Sequence, residues 1–194
     1  MRRNLVRAVL FALAAFPAAA GAQQYKIDVD HSSVTFKVRH VVSQVRGGFD
    51  KFQGTFTFVP GEPGQWKADA TVDVSSINTR NAKRDKHLRG PDFFDVDKNP
   101  EIKFVTTKIT SAKGDKAKLH GSLTMRGVTK DVVLDLELHG EGQDPWGNKT
   151  AGFSATGKVN RKDFGINWNK ALDKGGFLVG DDVEITIDVE GNPT

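Results

Sequence analysis

The chain has 194 residues, a formal net charge of +4 and no cysteine. The absence of cysteine excludes disulfides, thiolate-ligated metal centres and thiol nucleophiles. A chain of this length suits one domain with a sizeable core.

The first 22 residues have the pattern of an export signal. Three arginines precede an uninterrupted apolar run over residues 8–16, and residues 20–22 supply the small side chains that a signal peptidase recognises. The run is shorter than the roughly 20 apolar residues that span a bilayer. An N-terminal anchor or a core helix is the alternative. We predict a signal peptide over residues 1–22, a single domain over residues 23–194, and a location in the periplasm or outside the cell.

Removal of this segment changes what the charge implies. Three of the 28 basic residues and none of the 24 acidic residues lie in it, so the remaining domain carries a formal charge of +1. A nearly neutral domain lacks the electrostatic footprint of a nucleic-acid-binding protein. We therefore expect no nucleic-acid partner.

The dominant pattern of the domain is alternation of apolar and polar side chains with a period of two, which is typical of half-buried β-strands. Turn-forming segments such as residues 60–64 and 140–147 separate the runs. Eight or nine strands joined by short turns predict an all-β antiparallel barrel or sandwich, and closure into a barrel is favoured because it removes exposed edges. Clear alternation covers residues 34–39, 52–58, 67–74, 119–125, 132–138 and 183–189, and weaker alternation covers residues 25–29, 102–109 and 152–159.

A barrel that spans the outer membrane shows the same alternation, with its apolar face turned outward. Such barrels carry girdles of Tyr and Trp at both membrane interfaces. One Tyr and three Trp are too few for two girdles. The domain is therefore not expected to span a membrane.

One segment does not alternate. Good helix formers over residues 79–89, followed by Gly90 and Pro91, predict a short helix near residues 80–89. At a barrel mouth its basic side chains would attract an anionic head group, and a solvated helix face is the alternative. The only acid among them is Asp85, and the basic residues are Arg80, Lys83, Arg84, Lys86, His87 and Arg89.

Two further polar positions are candidates for specific roles. His40 has the same parity as the apolar residues of the run before it, so it points into a pocket or lies at its rim. Arg161 and Asp163 lie two positions apart on an expected strand and therefore share a face. Their pairing is expected to lock a corner of the barrel.

No catalytic or metal-binding motif is found. The five histidines lack helical metal-pair spacing, and there is no nucleophile elbow. We predict no catalytic residue, no metal and no cofactor, although a metal site assembled through space stays open. Two alternatives to a binding protein remain: a periplasmic hydrolase that pairs His40 or His87 with Asp85 or Asp163, and a protein–protein adaptor with a filled barrel and an exposed apolar patch.

Five blocks along the domain resemble the YceI-like family of polyisoprenoid-binding proteins. They are IDVDHSSVTFKVRH at 27–40, INTRNAKRDKHLRGPDFFDVDKNPEIKF at 77–104, LTMRGVTKDV at 123–132, DPWGNKTAGF at 144–153 and NRKDFGINW at 160–168. The resemblance implies a lipocalin-like antiparallel barrel, usually periplasmic, without established catalytic activity. It also implies an elongated apolar cavity for isoprenoid chains, including quinone-like ones, or for fatty acids and amides. Members are often linked to stress or acid tolerance.

The expected partner is therefore a long-chain isoprenoid or a fatty-acid-like lipid. The sequence leaves the choice between a monomer and a homodimer open. We expect apolar positions of the alternating runs, with His40 and two aromatic residues outside them, to line the cavity: Val34, Phe36, Val38, His40, Phe52, Phe56, Phe58, Phe94, Leu123, Leu134, Leu136 and Trp168. We expect four basic residues at the mouth, near the head group: Arg80, Arg84, His87 and Arg161.

Overall fold

The computed structural model describes residues 22–173 and 175–194. All of the predicted signal peptide except Ala22 lies outside the described residues. Within them, the strands are β1 (Gln23–Ile27), β2 (Ser33–His40), β3 (Ser43–Phe49), β4 (Phe52–Phe58), β5 (Lys67–Asp73), β6 (Ile77–Asn78), β7 (Glu101–Lys113), β8 (Lys116–Met125), β9 (Val128–Gln143), β10 (Lys149–Asn160) and β11 (Val179–Pro193). The one α-helix of this part of the chain is α1 (Ala82–Arg89), and 3-10 helices cover Pro63–Gln65, Val74–Ser76 and Arg161–Phe164.

Eight of the strands close into an antiparallel barrel. Their order is β1-β4-β5-β7-β8-β9-β10-β11, and β11 pairs back with β1, where Tyr25 lies opposite Pro193 and Ile27 opposite Gly191. Closure pairs the backbone N–H and C=O groups of the edge strands, which an open sheet would leave exposed to solvent. The predicted all-β barrel of about eight strands with one short helix is confirmed.

The remaining strands, β2, β3 and β6, extend the sheet from β11 at one end of the barrel. β11 is long enough to pair with β1 near its C-terminal end and with β2 nearer its start, and β3 and β6 follow β2. The segment after α1 packs beside this branch, since the ring of Phe94 lies edge-on to that of Phe49, with centroids 6.1 Å apart. The helix and its following segment therefore complete the wall at this end.

Most apolar side chains of the strands face the interior, opposite to their orientation in a lipid-embedded barrel. The end with the β4–β5 connection, residues 59–66, is filled by packed aromatic rings. Tyr25 stacks on Phe56 with centroids 5.1 Å apart, and Phe58 packs against Trp66 at 5.5 Å. None of the helices that the structure describes is long and apolar enough to cross a membrane.

Tyr25 provides a pH-dependent test of this packing. Its side chain is fully buried, and its hydroxyl donates a hydrogen bond to Glu141 Oε1 at 2.5 Å. Burial, the hydrogen bond to Glu141 and the negative charge of Glu141 raise the pKa of Tyr25 to about 12. Because this is the only tyrosine of the chain, alkaline ultraviolet titration reports it alone.

We expect the titration midpoint near the raised pKa, about two units above the ordinary tyrosine value of about 10. The raised pKa stabilises the fold fully below pH 10, and this contribution is lost as the pH rises through the folded pKa. Glu141→Gln should lower the midpoint. A midpoint near 10 while circular dichroism still shows the folded barrel would contradict the buried placement of Tyr25.

The predicted pairing of Arg161 with Asp163 is wrong. These residues lie in a 3-10 helix, which begins where the Asn160 side chain accepts a hydrogen bond from the backbone of Lys162 at 3.0 Å. In this turn Asp163 is exposed, whereas Arg161 is buried. The guanidinium of Arg161 instead reaches Asp181 Oδ1 of β11 at 3.2 Å.

Candidate ligand-binding site

The barrel contains a cavity of about 800 Å³. This volume lies within the range of about 300–1,000 Å³ that is typical of pockets for small ligands. Inward-facing residues of most strands form its wall, which is aromatic and aliphatic over most of its area; examples are Phe36, Phe52, Phe104, Leu134 and Ile185.

Small side chains on two strands help to leave this space open. Ala68 and Ala70 of β5 and Ala155 of β10 line the cavity. Ala70 is only partly buried although it points into the barrel, because it faces the open volume. Replacing a small residue at such a position would fill the cavity.

Most of the expected lining residues lie against the cavity. These are Val34, Phe36, Val38, His40, Phe52, Phe94, Leu123, Leu134 and Trp168. The expectation missed Phe49, which lies on a strand without clear alternation, and Phe93, which follows α1. Parity within the weaker run over residues 102–109 would have identified Phe104.

Three of the expected lining residues lie elsewhere, which corrects their placement. Phe56 is enclosed by Tyr25 and by the edge-on ring of Phe153, 5.1 Å away. Phe58 and Leu136 belong to the same packed cluster. The interior is filled at this end, so these side chains form the floor of the barrel and do not line the cavity.

The polar lining residues, apart from Thr35, gather at the opposite end of the barrel. They are His40, Asn81, Lys83, Arg84, Lys86, His87 and Arg161. The imidazole of His87 lies edge-on to Phe93 and to Trp168, with centroids 5.0 Å away in both cases, and its Nε2 is 2.8 Å from Asp92 Oδ2. The cavity therefore has an apolar body and one polar end.

Two arginines of this end, Arg84 and Arg161, form hydrogen bonds that stabilise the fold. Arg84 donates to Thr79 Oγ1 at 2.7 Å and to the Thr79 carbonyl at 2.8 Å. Arg161 donates to the carbonyls of Gly180, Ile166 and Trp168 at 2.7–2.9 Å. Burial lowers the pKa of the Arg161 guanidinium, and Asp181 opposes this effect.

The remaining cations of the helix differ in their access to the cavity. The expected mouth residue Arg80 does not line the cavity; its side chain is exposed, and its backbone is left-handed with φ of 61°. Lys83 and Lys86 line the cavity and are exposed. Among the described residues neither lysine forms an ion pair, so both ammonium groups are available to a ligand.

The His/Asp pairs that a hydrolase would use are not formed within the described part of the chain. Asp85 is buried and accepts hydrogen bonds from the backbone and hydroxyl of Thr79, at 2.9 and 2.5 Å. Asp163 is exposed, and the partner of His87 is Asp92. The adaptor alternative required a filled barrel, and the cavity contradicts it.

One surface group of the described residues could offer several metal ligands. Ligand atoms of Asp28, His31 and Glu190 lie within 4.8 Å of one another, away from the cavity. The hydrogen bond between Asp28 and His31, 3.0 Å long, lowers the pKa of Asp28 and raises that of His31. This hydrogen bond joins two of the three side chains.

Comparison with known proteins identifies the family. The profile of the YceI-like domain matches residues 25–191. Protein YceI of Salmonella arizonae is 41% identical, over 98% of each chain. The crystal structure of Burkholderia cenocepacia BcnA superposes with a TM-score of 0.75 at 25% identity, covering 84% of this chain and 98% of that one.

A polyisoprenoid binding domain from Saccharophagus degradans superposes with a TM-score of 0.62, covering 88% of this chain and 98% of that one. Its identity is 13%, so this likeness concerns the fold alone. The profile match and the Salmonella relative each cover most of the sequence. The chain therefore belongs to the YceI-like family.

Proposed function

We propose that this protein is an exported binding protein that holds a long-chain isoprenoid, quinone-like or polyprenyl, or a fatty-acid-like or fatty-amide lipid, without changing it chemically. The observation that carries the proposal is the cavity of about 800 Å³ with an apolar wall and a single polar end. Such a cavity matches an amphiphile with one apolar tail and one polar head.

The apolar wall favours a long tail. Burial of hydrocarbon contributes about 0.8 kcal/mol per methylene, so about ten methylenes supply the 8 kcal/mol or so of micromolar affinity. Ordering of the tail and loss of translational freedom oppose binding, so the tail must be longer than this. The Saccharophagus neighbour, a polyisoprenoid binding domain, shares this fold, so an isoprenoid tail is the first ligand class to test.

Export rests on the sequence of residues 1–22. The first strand begins at Gln23, so cleavage after Ala22 would leave it whole. A role in stress tolerance would follow if the bound lipid itself is protective.

Extraction of the protein purified from its host tests the proposal. We expect organic solvent to release an amphiphile with a long apolar tail, in an amount close to that of the protein, and mass spectrometry to identify it. Protein that releases no lipid and also fails to take up added long-chain isoprenoid or fatty acid would overturn the proposal.

The polar end should select the head group through Lys83 and Lys86. Reversal of both charges, Lys83→Glu with Lys86→Glu, is expected to weaken binding of a long-chain fatty acid about tenfold or more, because attraction to the carboxylate becomes repulsion. Binding of the fatty amide of equal length should change little. Competition binding in solution measures both.

Arg80→Glu is the matched control. It reverses a charge on the same segment, but Arg80 does not line the cavity, so it should leave both affinities near wild type. Equal losses for acid and amide in the double variant would mean that the lysines do not read the head group.

A further inference from the structure

An exposed apolar tip stands at the polar end of the barrel. Val41 and Val42 alone connect β2 to β3, and Val42 is 97% exposed. Phe177, which precedes β11, is 53% exposed. These three residues are the apolar tip.

Hydrogen bonds hold the parts of the apolar tip together. The backbone N–H of Val41 donates to the carbonyl of Leu178 at 2.9 Å. The guanidinium of Arg39 donates to the carbonyls of Val41 and Phe177, at 3.1 and 3.4 Å. Val42 and Phe177 are thus presented to solvent from two adjacent segments of the chain.

The chemistry of this hairpin does not serve the fold. A two-residue hairpin turn with positive φ at its first central residue favours Gly there, because glycine adopts this conformation without steric cost. Val41 has φ of 51°, in a region that β-branched residues rarely adopt. The turn thus contains a strained valine that is 37% exposed and a second valine that is 97% exposed. Backbone strain of this kind points to a contact outside the fold.

The apolar tip is continuous with the rim of the cavity. His40 and Val179 are paired neighbours of the hairpin, and both line the cavity, as does Leu178. A lipid that leaves the cavity at its polar end would therefore pass close to the tip.

Basic residues lie beside the apolar tip. Lys162 Nζ lies 5.9 Å from the ring centroid of Phe177, and the backbone of Lys170 accepts a hydrogen bond from Leu178. The carboxylates of this end include Asp181, which is paired with Lys162, and the exposed Asp163 and Asp173. Arg39 and the two lysines of α1 add further exposed cations.

We propose that the apolar tip docks the cavity mouth onto a lipid bilayer that contains anionic lipid. Apolar side chains flanked by Lys and Arg are typical of surfaces that bind reversibly at the headgroup boundary. Docking would let a lipid pass between bilayer and cavity without crossing water. The transfer step rests on the proposed function, whereas docking itself needs only the surface.

Sedimentation of the mature protein with vesicles tests docking. We expect more binding to phosphatidylcholine vesicles that contain phosphatidylglycerol than to phosphatidylcholine alone. The double variant Val41→Gly with Val42→Asn should reduce vesicle binding about tenfold. The same variant should unfold at a higher temperature, since it relieves the turn. A purely structural role of the valines would not separate these two readouts.

Val133→Ser is the matched control, because Val133 is 49% exposed on β9 and does not line the cavity. It should bind vesicles as the wild type does. The docking proposal would be overturned if the wild-type protein binds neither vesicle type, or if the hairpin variant binds vesicles as well as the wild type does.

Lipid loading from a cyclodextrin complex, without vesicles, separates this proposal from the proposed function. We expect the hairpin variant to load normally. Normal loading with unchanged vesicle binding would defeat docking alone. Loss of vesicle binding in the variant, with a wild type that never loads lipid, would defeat the proposed function alone.

Discussion

Ala70→Trp is expected to abolish lipid binding and leave the barrel folded. Ala70 points from β5 into the cavity, between its paired neighbours Gly54 and Phe104. The indole would occupy volume that the ligand tail needs, and the open space allows it to fit without the strain of an overpacked core. We expect affinity for a long-chain lipid to fall at least about 100-fold, or about 2.7 kcal/mol. Calorimetry measures the affinity, and the variant purified from the host should release no lipid to organic solvent.

Thr71→Trp is the matched control for this substitution. Thr71 is the next residue of β5, and its side chain points to the opposite face of the sheet, so the same indole would lie outside the barrel. It should retain both binding and extractable lipid. An Ala70→Trp protein that still carries its lipid would show that the ligand binds somewhere other than this cavity.

Arg161→Met is expected to lower the free energy of unfolding by about 3–5 kcal/mol, the range for removal of one partner from a buried charged network. Arg161 is 4% exposed and donates to the carbonyls of Gly180, Ile166 and Trp168 as well as to Asp181. Methionine matches its length but leaves these acceptors without a donor in a buried setting. Urea unfolding followed by circular dichroism measures the loss.

Lys162→Met removes the other cation that contacts Asp181, with Nζ 2.8 Å from Oδ2. Because both side chains of this pair are partly exposed to solvent, its loss should cost less than about 1 kcal/mol. Similar losses for the two variants would mean that Asp181, and not the three carbonyls, accounts for the role of Arg161.

The strands illustrate what could be predicted from the sequence. β2 and β4 show clean alternation, because burial of every second side chain is a local property of an extended chain. β3 was not predicted, because Gly47 and Gly48 interrupt its pattern. A Cβ at Gly47 would lie 2.7 Å from the ring of Phe36 on the neighbouring strand β2. Glycine is therefore needed at this position because of a contact between strands, which a local sequence pattern does not reveal.

The sequence predicted an apolar cavity with basic residues at its mouth, but not which of those basic side chains remain free to contact a ligand. Arg84 and Arg161 both line the cavity as expected, but Thr79 accepts hydrogen bonds from two nitrogens of Arg84, and backbone carbonyls and Asp181 accept those of Arg161. Among the described residues, Lys83 and Lys86 of the same helix line the cavity without an ion pair or a side-chain hydrogen bond. Which side chains are available depends on partners supplied by distant segments, and those partners carry no signal in the local sequence.

The sequence by itself determined an antiparallel barrel with an apolar interior and one short basic helix, because periodicity and turn residues act over a few neighbouring positions. The tertiary structure alone decided where that interior is empty. Phe52 and Phe56 share one face of β4, yet Phe52 faces the cavity and Phe56 is packed between Tyr25 and Phe153. The difference arises because filling a volume requires side chains from several strands, and only the folded barrel brings them together.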